Sequence, residues 1–161
     1  MIFEVIPYKG LVKVHFGMLR RQVHELLGHP TWAQGPDSTG LILESFFVDS
    51  YAVLVGYLGE VCEYIAIFGG AEEQNPPEVS LNSDGVLITG ILDKSFGEMR
   101  NLAAQLDPTS YFVADARSIV VPKYGFLFVS DGTESQPNLK GLVIELSSKA
   151  YWSRYVPVAG L

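Results

Sequence analysis

The residues able to do chemistry in this 161-residue chain are few and scattered. The histidines are His15, His24 and His29, and the one cysteine is Cys62. Two metal ligands on one helix face sit four residues apart, whereas His24 and His29 are five apart with Gly28 between them. Surface or half-buried histidines are the plainer reading, and no metal ligand is assigned. Cys62 lies in the run Val61-Cys62-Glu63-Tyr64-Ile65, where a small buried thiol fits better than a nucleophile. Ser83-Asp84-Gly85 and Ser130-Asp131-Gly132 have the composition of turns rather than of a Gly-x-Ser-x-Gly elbow. Gly69-Gly70 leads into acids, so neither phosphate-cradling pattern is present. Glu60 with Glu63, or Glu72 with Glu73, has the residue types for acid–base work, but any acidic chain offers such pairs. The expectation is a non-enzyme with no catalytic residue, no metal and no cofactor.

Acids and aromatics point to a different kind of chemistry. Eleven Lys and Arg against 18 Asp and Glu leave a formal charge of −7. Direct nucleic-acid binding is disfavoured, because Lys and Arg neutralising phosphate supply most of its non-specific affinity. Glu60, Glu63, Glu72, Glu73 and Glu78 fall in one stretch. Read plainly they solvate a strand end and a loop; read sharply they form an acidic face that steers a basic partner. Eight Tyr and two Trp add to this, since both types are enriched where proteins grip one another. Strand tyrosines have packing as their plain role. Trp32, in the polar loop 31–40, and Tyr151-Trp152 near the end of the chain are better placed for contact. The predicted partner-binding residues are Trp32 and Tyr57 for contact and Glu60, Glu63, Glu72 and Glu73 for steering, with the loop 131–140 as a further candidate.

The elements that must position these residues read as one unit used twice. Hydrophobic residues make up 48% of the chain and charged ones 18%, which excludes disorder. A single cysteine allows no intramolecular disulfide and fits a reducing compartment. The start, Met1-Ile2-Phe3-Glu4, lacks a signal-peptide pattern, and no apolar run reaches spanning length. The expectation is a cytoplasmic protein without membrane association. A shift of 80 positions pairs Gly10-Leu11-Val12 with Gly90-Ile91-Leu92, Phe16 with Phe96, Arg20 with Arg100 and Leu26 with Leu106. A shift of 73 pairs Ser45-Phe46-Phe47-Val48 with Ser118-Ile119-Val120-Val121 and Tyr51 with Tyr124.

Each copy predicts a helix followed by three strands. The helices cover about 18–27, stopped by Gly28 and Pro30, and about 96–106, with Ser95 and Glu98 forming a capping box. The strands cover about 41–48, 51–57 and 61–68, then 117–121, 124–130 and 141–147, joined mostly by hairpin turns. The predicted fold is α+β: two tandem αβββ repeats, 1–70 and 81–161, joined by a Gly- and Pro-rich linker at 71–80, with antiparallel sheet and helices on one face. The other sheet face is left partly open.

The segment Phe16-Gly17-Met18, Val23, Leu26-Leu27-Gly28 and Pro30 resembles the helix signature of small bacterial αβββ modules. These include the barrel-assembly lipoprotein, the tandem-repeat β-lactamase inhibitory protein and proteins encoded beside polymorphic toxins. The second copy departs from the signature, with Gly97 inside its helix and no Leu-Gly-x-Pro exit, and no lipidation cysteine stands near the start. The resemblance implies a scaffold for gripping proteins. The expected function is an immunity or inhibitor protein that neutralises a toxin effector, its partner a basic toxin or nuclease domain. Two alternatives stand beside it: a small-ligand site or active site between the repeats, and a subunit that self-assembles through the open sheet.

Overall fold

A computed structural model describes residues 2–70 and 74–156. The chain opens with β1 (Ile2–Ile6) and β2 (Gly10–Leu11), then α1 (Arg20–Leu27). Four strands follow: β3 (Trp32–Gln34), β4 (Leu41–Val48), β5 (Tyr51–Leu58) and β6 (Val61–Phe68). The second half repeats this order with β7 (Glu78–Ser83), β8 (Val86–Ile88), a 3-10 turn (Ile91–Asp93), α2 (Phe96–Leu106), β9 (Tyr111–Val113), β10 (Ser118–Val121), β11 (Phe126–Ser130) and β12 (Gly141–Ser147). A last short helix, α3 (Lys149–Tyr155), ends the described chain.

The strands form two sheets. The large one has eight strands in the order β3-β4-β5-β6-β12-β11-β10-β9, every neighbour antiparallel. It is continuous across the chain's two halves, because Ile144 of β12 sits opposite Ile67 of β6. The small sheet runs β2-β1-β7-β8, and β1 and β7 are parallel with Phe3 opposite Val79. The predicted linker 71–80 therefore ends inside a strand, and Val79 and Ser80 are buried. Neither β1 nor β7 was expected: in both, the apolar residues alternate over only a few positions beside proline.

Local sequence explains where the helices begin. Ser95 Oγ accepts the Glu98 N–H at 3.2 Å while Glu98 Oε2 accepts the Ser95 N–H at 3.2 Å, the reciprocal cap read from the sequence. Phe96, Met99 and Ala103 then recur at helical spacing and are fully buried. Helix α1 starts two residues later than expected because its entry is pinned to a strand. The Cys62 N–H donates to the Met18 carbonyl at 2.8 Å, and the Arg20 N–H donates to the Glu60 carbonyl at 2.9 Å. Gly28 closes it at φ 83°, its N–H donating to the His24 carbonyl.

Alternation sorts the large sheet into two faces. On the inner face one row reads Phe46, Val53, Ile67, Ile144, Phe128, Ile119 and Phe112 from strand to strand, packed against the small sheet, α1 and α2. On the outer face the central row reads Trp32, Ser45, Leu54, Ala66, Glu145, Leu127, Val120 and Tyr111. Helix α3 lies on this outer face, where Trp152 packs with Val113, Val120 and Leu127. The expectation of helices on one face is corrected here. Tyr151, Trp152 and Tyr155 form the stripe of a third helix, capped by Ser148 Oγ accepting the Tyr151 N–H at 3.1 Å.

Candidate functional site

Two places in the fold concentrate unusual side chains. The first is on the inner face. Glu44 stands in an otherwise apolar row, opposite Val55, and is fully buried. Arg20, from the first turn of α1, donates from Nε to Glu44 Oε1 at 2.7 Å. His24, one turn later on the same helix face, has Nε2 2.7 Å from Glu44 Oε2. Burial pushes the Glu44 carboxyl up, but the His24 and Arg20 hydrogen bonds outweigh it and hold the group below the ordinary carboxylate range. The same bond to Glu44 raises Arg20. Arg20 also reaches Glu60 Oε1 at 3.3 Å and lies 5.9 Å from the Tyr57 ring centre.

Tyr57 completes this cluster from β5. It is fully buried, and its hydroxyl has no hydrogen-bond partner among the described residues. Burial, followed by the nearby Glu44 charge, raises its pKa and keeps the phenol neutral. The clamp between α1 and the sheet is therefore Glu44 with Arg20 and His24, and Tyr57 lies beside it without a hydrogen bond among the described residues. Beside them Cys62 is fully buried, and burial pushes its thiol up to about 12. Among the described residues no three His, Cys, Asp or Glu converge in a metal-holding group.

The second place is the outer face over β3 to β6. Register places Trp32 opposite Ser45, and Phe47 opposite Ala52. Leu54 lies between Ser45 and Ala66, and Phe68 lies opposite Val143. These side chains form an apolar strip on one face. Helix α3 packs over β6 and β12 and leaves the strip's outer end open: Phe47 is 64% exposed and Trp32 48%. At the junction, Tyr64 donates its hydroxyl to Glu145 Oε1, and the Tyr151 ring lies 4.8 Å from Tyr64 and 4.4 Å from Tyr155. Burial, followed by the Glu145 charge, raises Tyr64 and Tyr151 alike.

Comparison with known proteins adds little to this geometry. No protein-family profile matches the chain, and no curated protein matches it. Among solved structures, a cysteine-rich secretory protein from Staphylococcus aureus subsp. aureus Mu50 aligns at TM-score 0.45 and 12% identity. The alignment covers 95% of this chain and 52% of that one, so the chain spans about half of that protein.

The sequence-predicted residues scatter. Trp32 is exposed, but on the edge strand β3 rather than in a loop. Tyr57 faces the core and offers no surface to a partner, a correction that follows from plain strand alternation: Val53, Val55 and Tyr57 share the inner face of β5 and all are buried. A bulge in β6, where Glu63 is left without a partner in β5, sets Cys62 opposite Tyr57 on that inner side. Glu60 is exposed in the β5–β6 turn and is engaged by Arg20, and Glu63 is half-buried on β6. Glu72 and Glu73 lie outside the described residues. Trp152 is spent on packing α3. Glu44, Phe47 and Glu145 were not expected; the visible signal was a charge at an apolar parity in Leu41 to Val48 and in Gly141 to Ser147.

Proposed function

We propose that this protein acts by binding another protein, as an immunity or inhibitor protein that neutralises a toxin effector carrying a basic surface. The observation that carries the reading is the uncovered apolar strip on the outer face, ending in Trp32 and Phe47. Aromatic side chains on a rigid sheet bring large contact area at low entropic cost. The net charge of −7 supports a basic partner, since complementary fields speed encounter. The scaffold is two diverged αβββ copies, related to the tandem modules that grip proteins. Its support is the strand order, which reads the same from either edge: helix-bearing halves meet last strand to last strand at β6 and β12, and their leading hairpins meet at β1 and β7.

A tagged pull-down from lysate of the native organism, read by mass spectrometry at low and moderate salt, tests the proposal. One stoichiometric basic partner, lost as salt rises, is the expected result. A bait that returns no partner at either salt overturns it. The second reading, a small-ligand site between the copies, has one observation in its favour: the cleft beneath α3 lies on the β6–β12 junction.

A further inference from the structure

Between α3 and the outer face lies a cleft of about 190 Å³, lined among others by Tyr64, Leu127, Glu145, Ser147, Tyr151 and Tyr155. Its carboxylate is in an odd position. Glu145 stands in the central outer row with Ala66 on one side and Leu127 on the other. Its counterpart in an inner row, Glu44, takes both Arg20 and His24. Among the described residues no cationic side chain lies within ion-pairing distance of Glu145. The Tyr64 hydroxyl is its one hydrogen-bond donor among the described residues. A half-buried carboxylate pays for lost hydration and is stabilised when an opposite charge joins it.

A second, independent feature points into the same space. Ser147 lies two residues on along β12, on the same face, and is 1% exposed. Its Oγ has no hydrogen-bond partner among the described residues. Buried hydroxyls are almost always bonded, so an orphan lining a cleft marks an unfilled contact. Tyr64, Tyr151 and Tyr155 supply ring surface, whose negative faces attract cations. A hard metal ion would need several more oxygens than one carboxylate and one hydroxyl provide.

We propose that this cleft binds a compact organic cation, a protonated primary amine or a guanidinium, with Glu145 as counter-ion, Ser147 Oγ as neutral acceptor and the tyrosine rings as wall. The N–H groups of such a head are enough to reach both oxygens at once. The head has two sources, a free small molecule or the side chain of a lysine or arginine on a protein. The assignment stands whether or not the protein-binding reading holds.

The test is an NMR titration of the full chain with methylguanidinium and with ethylammonium, following the ring resonances of Tyr64, Tyr151 and Tyr155 at constant ionic strength. Saturable shifts with a dissociation constant of about 1 to 10 mM are expected for so small a head. Glu145→Gln keeps the shape and removes the charge, and is expected to weaken binding at least ~10-fold. Ser147→Ala is expected to weaken it ~3-fold or more, and decides the matter if the glutamine variant does not fold. A parallel titration with Nα-acetyl-arginine and Nα-acetyl-lysine methylamides separates the sources: tighter binding than the bare heads assigns the site to a protein side chain, weaker binding to a free molecule. No saturable shift by about 50 mM, or a constant unchanged by Glu145→Gln, overturns the proposal.

Discussion

Glu44 shows how one residue ties a helix to a sheet. Breaking a buried ion pair from one side costs about 3 kcal/mol, because the remaining groups keep their desolvation penalty. Glu44→Gln is therefore expected to lower unfolding free energy by about that amount in urea titrations at pH 7. The pH dependence has a definite sign. The folded-state pKa of Glu44 lies below its ordinary value near 4.5, so its contribution is present above that value and is lost as pH falls through the lower, folded value. Wild type is expected to lose stability on the acid side of pH 4.5, and Glu44→Gln to show a flatter acid limb. Equal slopes would show that Glu44 is not the group responsible. Cys62 gives a second check, since its thiol is fully buried and its pKa is raised to about 12. A thiol reagent is expected to leave the native protein unlabelled and to label it at once in denaturant.

At the scale of elements, close packing sets what each strand tolerates. A Cβ added at Gly141 would sit 2.5 Å from Phe128 Cε2 and 3.2 Å from Leu92 Cδ2. Gly141→Ala is expected to cost about 2 kcal/mol, and Phe128→Leu in the same chain to recover part of it, read by paired denaturation curves. A gain in stability would place the β11–β12 contact elsewhere. Helix α2 and the long strands were legible because capping, helix stops and alternation are local. Strands β1, β7 and α3 were not. Each is short, and each owes its form to a partner distant in sequence: β1 to β7, and α3 to the outer face of β10 to β12. At the site the miss over Tyr57 had another cause: alternation in β5 puts it inward with Val53 and Val55, and this local pattern outweighs the preference of tyrosine for contact surfaces. What had no local signal is the bulge at Glu63 of β6, which brings Cys62 opposite Tyr57.

As a whole molecule the protein is built on one large sheet with a filled side, covered by the small sheet, α1 and α2, and a half-filled side. The inner side is packed from β4 to β9, whereas α3 covers the outer side over β6 and β9 to β12 and leaves β3 to β5 uncovered. The exposed remainder, with Phe47 and Trp32 at its end, is the proposed partner surface. The most direct measurement is a pull-down run in parallel with wild type and with Trp32→Ala/Phe47→Ser. Both residues are exposed, so the melting temperature is expected to hold and the captured partner to be lost. A partner held equally well by both proteins would contradict the account and move the interface off this face.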